Sequence, residues 1–368
     1  MGVNQEGLRH WRSPQPFLLD NGAVLESIEL SFRTWGQLNA RGDNAVVVCH
    51  ALTGDPHADR WWAPLFGAGK VLDPERDFIV CANALGSCYG SSGPASRDAQ
   101  GRRQATRFPR VSIRDQVRSQ MHLLDALGVR HIAWVVGGSM GGLQAIEWAL
   151  LDPTRVQAVS SVAASAKHSA WCIGWSEAQR IALRADANFH DGNYSDEHPP
   201  LAGLAAARAI AMASYRSAAS FEDRFGRRVG NETFGNKVSA HPAEERDFAV
   251  AHWLRHHGDL LNARFDANCY DTLLASLDSH DVGRGRGGVC KALGQITIPV
   301  QVVSIPADAL YVPADQFALV EALPCAELSV LRSEHGHDGF LIDADRLEPI
   351  LRRFRQTMTK APRQLTAA

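Results

Sequence analysis

Residues 131–150 read HIAWVVGGSMGGLQAIEWAL. The opening HIAWVV is short, apolar and rich in β-branched residues, so it predicts a buried strand. GLQAIEWALLD (142–152) has apolar residues at helical spacing and predicts a helix. Between them, Gly137-Gly138-Ser139-Met140-Gly141 fits G-x-S-x-G. A serine at the apex of a strand–turn–helix is a nucleophile elbow. Small residues flank it because a side chain there would collide with the neighbouring strand and helix. The strained turn lifts the hydroxyl out of the sheet, towards the free N–H groups of the helix N-terminus, where developing negative charge is favoured. A glycine-rich turn with a helix-capping serine shares these letters, but the strand before and the helix after favour the nucleophile.

Working outward, similar apolar runs recur at 45–49, 77–83, 156–163, 299–304 and 326–331. They read as buried strands of a mostly parallel sheet. IRDQVRSQMHLLDALG (113–128) predicts a helix capped at Gly128. Strand, helix and strand at this spacing form βαβ units. From 168 to 290 the stretches are helix-like with no convincing strand, and GRGRGG (283–288) reads as a flexible connector. The expected organisation is a core of residues 1–167 and 291–358, an inserted helical lid of residues 168–290, and a frayed tail of residues 359–368.

Composition narrows the classes. The 368 residues carry 38 basic and 40 acidic side chains, a formal charge of −2. That balance gives no basic footprint for nucleic acid and no polybasic face for a membrane. No apolar run reaches the roughly 18 residues that a membrane span needs. The N-terminus lacks the apolar region of a signal peptide, and Cys49, Cys81, Cys88, Cys172, Cys269, Cys290 and Cys325 show no paired or metal-ligand spacing. Reduced thiols in a cytoplasmic protein without a bound metal or cofactor are the expectation. Cys49 and Cys81 fall in apolar runs and read as inert core residues.

A serine nucleophile needs a base, and the base an orienting carboxylate. The α/β-hydrolase fold places them in the chain order Ser, then Asp or Glu, then His, each after a later strand. Asp308 follows the run at 299–304, with Asp315 as a rival. His337 follows the run at 326–331, with His335 as a rival. His256 and His257 lie in the helical block and read as solvated surface. The oxyanion hole needs the N–H after the serine, that of Met140, and one from the loop after an early strand. His50-Ala51-Leu52-Thr53-Gly54 supplies that loop, with Leu52 as the donor.

Further pieces extend the pattern: TWG (34–36), CHALTGD (49–55), WWAPLFGAGK (61–70), CANALGSCYGSSGP (81–94), VVGGSMGGLQAIEWAL (135–150), FGRR (225–228), RFDANCY (264–270) and GHDGFL (336–341). Together, across about residues 30–345, they resemble the homoserine O-acetyltransferase family of α/β-hydrolase-fold acyltransferases. The resemblance implies two-step acetyl transfer. Ser139, with His337 and Asp308, takes the acetyl group from the substrate acetyl-CoA, and the hydroxyl of L-homoserine collects it for methionine synthesis. It also implies that Arg180 in SEAQRIAL holds the amino-acid carboxylate and Asp338 the ammonium group. The lid would enclose a tunnel that holds off water, and its helices would form a homodimer interface.

The chain departs from the family at Ala307-Asp308-Ala309-Leu310-Tyr311-Val312-Pro313, where Ser-Asp-Trp-Leu-Phe-Pro is usual, and at Gly86-Ser87-Cys88, where a glycine pair is usual. Succinyl-CoA users resemble this pattern but carry an arginine at the position of Leu310. A leucine cannot compensate a second buried carboxylate, so acetyl-CoA is expected. Succinyl-CoA, serine or a larger hydroxyl metabolite as alternative substrates, and a carboxylesterase, remain the competing readings.

Overall fold

The computed structural model describes residues 7–229 and 248–360. Ten strands form: β1 (Arg9–Arg12), β2 (Phe17–Leu18), β3 (Val24–Leu25), β4 (Glu29–Trp35), β5 (Ala45–Cys49), β6 (Phe78–Ala82), β7 (Ile132–Gly138), β8 (Val159–Val162), β9 (Val300–Ser304) and β10 (Ala326–Val330). Eight of them make one sheet in the order β1-β4-β6-β5-β7-β8-β9-β10. β1 and β4 run antiparallel at one edge, and the strands from β6 to β10 are parallel. This is the α/β-hydrolase architecture expected, with two differences. β1 and β4, together with the β2–β3 hairpin, lie outside the predicted strands. β10 is not buried but is the far edge strand, with Leu328 and Val330 partly in solvent.

β5, β6, β7, β8 and β9 are built from Val, Ile, Ala and Phe with few polar residues, because helices cover both faces of the sheet. The helices, in chain order, are α1 (Ala58–Trp61), α2 (Ile113–Ala126), α3 (Met140–Leu151), α4 (Ala170–Arg184), α5 (Leu201–Tyr215), α6 (Ala218–Arg224), α7 (Ala249–Asn262), α8 (Ala267–Asp278), α9 (Val289–Leu293), α10 (Pro313–Ala322), α11 (Gly339–Ile342) and α12 (Ala344–Lys360). α2 begins with a capping box between Ser112 and Asp115. Its end is followed by Gly128 at φ 78°, the left-handed conformation that closes a helix. Trp148 on α3 packs with Val117 and Leu124 of α2 on one face of the sheet, and Trp62, Trp134 and Phe340 fill the other.

α4 to α8 form the insertion between β8 and β9. The chain enters and leaves it side by side: Lys167 bridges Asp281, the His168 N–H donates to the His280 carbonyl, and the Val282 N–H to that of Ala166. GRGRGG, read as a flexible connector, is instead tied down. Arg284 pairs with Asp20, and Arg286 reaches Glu147 on α3 at 2.8 Å. The expected tail at 359–368 lies almost wholly outside the described residues.

Candidate active site

The elbow begins with glycine. A Cβ on Gly141 would lie 2.1 Å from the Cys49 carbonyl oxygen of β5, and one on Gly138 would lie 2.5 Å from the Phe340 ring. Only a bare backbone allows α3 to start this close to the sheet. Ser139 adopts φ 57° and ψ −123°, a strained conformation for a side-chain-bearing residue. Its N–H is held by the Val162 carbonyl at 2.9 Å.

From this turn a continuous relay runs. The Ser139 hydroxyl lies 2.8 Å from His337 Nε2, and His337 Nδ1 lies 2.8 Å from Asp308 Oδ2. The other Asp308 oxygen accepts the N–H groups of Leu310 at 2.8 Å and Tyr311 at 3.0 Å. These partners assign the imidazole proton to Nδ1 and leave Nε2 to accept from serine. Burial alone would push the His337 pKa down, but the Asp308 charge and hydrogen bond outweigh it and raise it above 6.5. The rivals sit elsewhere: Asp315 is in the first turn of α10, and His335 meets Ser220 at 3.3 Å.

Met140 opens α3, so its N–H has no intrahelical acceptor. Leu52 lines the same cavity as Ser139, together with His168, Cys172, Leu310 and Tyr311. No Lys or Arg lines that cavity among the described residues. His168 donates to or accepts from the Tyr311 hydroxyl at 3.0 Å, and burial pushes its pKa down to about 3, so it is neutral. Trp171 of α4 donates its ring N–H to the Ala309 carbonyl at 2.7 Å, fastening the lid to the divergent loop.

Arg180 holds Glu177 through Nε at 2.8 Å and Asp278 through Nη2 at 2.5 Å, and it is not among the residues that line the cavity beside Ser139. Asp338, in contrast, follows His337 directly, and the arginines acting on it are Arg208 and Arg216. Burial nevertheless raises its pKa above the ordinary value. Arg216 Nε stands 3.6 Å from Asp338, and two of the Arg216 guanidinium nitrogens are buried without a hydrogen bond. Arg208 lies over the Tyr215 ring at 5.8 Å, and that ring packs on His337 at 5.5 Å. Among the described residues Arg208 makes no hydrogen bond or ion pair. Neither arginine was singled out by sequence, because no local motif distinguishes them from other lid arginines. His257, read as surface, packs its ring against Trp253 at 4.4 Å, and burial pushes its pKa down to about 4.

The α/β-hydrolase-fold family profile matches residues 44–341. The homoserine O-acetyltransferase of Trichormus variabilis is 48% identical over 96% of this chain and 95% of its own. The chain belongs to the homoserine O-acetyltransferase family. Members of this family are acyltransferases. The crystal structure of homoserine O-acetyltransferase from Bacillus anthracis superimposes with a TM-score of 0.84 at 21% identity, covering 95% of this chain and 97% of that one. An acetylester hydrolase from Corynebacterium glutamicum superimposes at 0.81 with 25% identity, covering 95% and 96%. The homoserine O-acetyltransferase fold is thus shared with an acetylester hydrolase.

Proposed function

We propose that this protein transfers an acetyl group from acetyl-CoA to the hydroxyl of L-homoserine, giving O-acetyl-L-homoserine and coenzyme A. The observation that carries the reading is the unbroken Ser139–His337–Asp308 relay set beside Asp338 and the guanidinium of Arg208, which has no hydrogen bond or ion pair among the described residues. Ser139 Oγ attacks the thioester carbonyl carbon while its proton passes to His337 Nε2. The oxyanion is held by the N–H groups of Leu52 and Met140. Collapse breaks the C–S bond, and the departing thiolate takes the proton from His337. Homoserine then gives its hydroxyl proton to His337 and attacks the acetyl carbonyl, and the C–O bond to Ser139 breaks as Ser139 Oγ takes the proton back from His337.

Homoserine is a zwitterion. Asp338 receives its ammonium group, which also restores the ionised form that burial disfavours. Arg208 receives its carboxylate through a bidentate guanidinium pair. This assignment moves the carboxylate anchor from Arg180, whose Nε and Nη2 already hold Glu177 and Asp278. The cavity beside Ser139 offers Leu310 and neutral His168 but, among the described residues, no Lys or Arg in its lining, which favours acetyl over succinyl. A homodimer formed through the lid, and a cytoplasmic place of action, complete the proposal. No helix of the described residues is long and apolar enough to cross a membrane.

The test is thiol release from acetyl-CoA and succinyl-CoA, each with L-homoserine, L-serine or no acceptor. Release that needs both acetyl-CoA and homoserine supports the proposal. Fast release without an acceptor makes the protein an esterase, the reading that the acetylester hydrolase neighbour favours. Ser139→Ala should abolish the acetyl-enzyme seen by intact mass; retained turnover would overturn the mechanism.

A further inference from the structure

His50 stands just past β5, two residues before Leu52. Its ring is 1% exposed and has two fixed partners. The Ala84 N–H donates to Nε2 at 2.9 Å, so Nε2 is the bare nitrogen. Nδ1 therefore carries the proton and donates it to the Ala51 carbonyl at 2.8 Å. Burial favours this neutral ring by lowering its pKa. The Gly54 N–H donates to the same carbonyl, also at 2.8 Å.

The Ala51 carbonyl and the Leu52 N–H belong to one planar trans peptide, so they point in opposite directions. Fixing the carbonyl fixes the N–H. The Leu52 N–H donates to no acceptor among the described residues, and Leu52 shares its cavity with Ser139. Two donors on the carbonyl also polarise the peptide and make its N–H a better donor.

We propose that His50 is a positioning residue of the oxyanion hole: in its Nδ1–H form it locks the Ala51–Leu52 peptide with the Leu52 N–H aimed at the charge that develops beside Ser139. This rests on the reading that Ser139 becomes acylated, but not on which alcohol accepts the acyl group.

The two ring nitrogens have different jobs, and two amides separate them. In His50→Asn the side-chain amide falls near Nδ1 and can still donate to Ala51. In His50→Gln it reaches the Nε2 position and can accept from Ala84 only. The burst of p-nitrophenol from p-nitrophenyl acetate reads Ser139 acylation without an acceptor. H50Q should acylate roughly 10- to 100-fold more slowly, with half-saturation changed by no more than about twofold. H50N should recover most of that loss. Inhibition by a boronic acid, whose tetrahedral adduct on Ser139 needs the same hole, should weaken in H50Q in step with acylation.

Wild-type acylation in H50Q, or equal slowing of both variants with unchanged boronic-acid inhibition, overturns the proposal. Nitrogen-15 spectra of the wild type decide it without any variant: the His50 proton on Nδ1 supports it, and a proton on Nε2 overturns it. A normal burst in Ser139→Ala would instead sink the acyl-enzyme reading itself.

Discussion

Asp308 and His337 act as one unit, and the pH dependence should report it. In the proposed mechanism acylation needs the free Nε2 lone pair, so its rate falls as pH drops through the His337 pKa, which Asp308 holds above the ordinary histidine value. The acid limb of kcat/KM should therefore lie on the alkaline side of an ordinary histidine's. In Asp308→Asn the limb should move to lower pH while the rate falls on the order of 10³- to 10⁴-fold, measured by the acylation burst. The two arginines separate in the same way. Arg208→Ala should raise the KM for homoserine on the order of 10- to 100-fold with a smaller change for acetyl-CoA, as expected for a lost charged pair. Arg180→Ala should act mainly on stability, because it strands Asp278 in the lid. The grouping of Ser139, Asp308 and His337 was legible in sequence because each follows a strand end in a fixed order. Arg208 and Arg216 were not, because their nearness to Asp338 arises only when α5 folds over the strand ends.

Among the elements, α3 carries both the elbow and a wholly buried Glu147. Arg114 of α2 at 3.3 Å and Arg286 at 2.8 Å clasp that carboxylate, joining two core helices to the return path from the lid. Glu147→Gln should cost about 3–5 kcal/mol of stability, since it leaves two partly buried guanidiniums short of a partner. Urea unfolding measures it, and a loss near zero would mean that the clasp contributes little. The same clasp explains why GRGRGG read as a loose linker. Its glycines are visible in sequence, but the acidic partners that pin its arginines are distant. The parallel strands were legible as apolar runs. β4 was not, because ELSFRTW mixes charged and apolar residues at the antiparallel edge, and β1 (RHWR) is largely exposed.

For the molecule as a whole, α4 presents Trp171, Ile173 and Ile181 to solvent, with Ile181 61% exposed. These exposed apolar side chains fit the proposed homodimer. Ile181→Glu should shift sedimentation from dimer to monomer, and a wild-type monomer would discard the interface. The sheet order and the insertion place Ser139 where β5, β7, β8 and the lid meet. Its turn is held by Val162 of β8, abuts Cys49 of β5, and is roofed by Phe340 from beyond β10. Residues almost 300 positions apart in the chain thus have to be in place before the hydroxyl is presented. Catalysis in this protein is then a late clock of folding: during refolding, the acylation burst should return with the last tertiary signal, after far-ultraviolet dichroism has recovered.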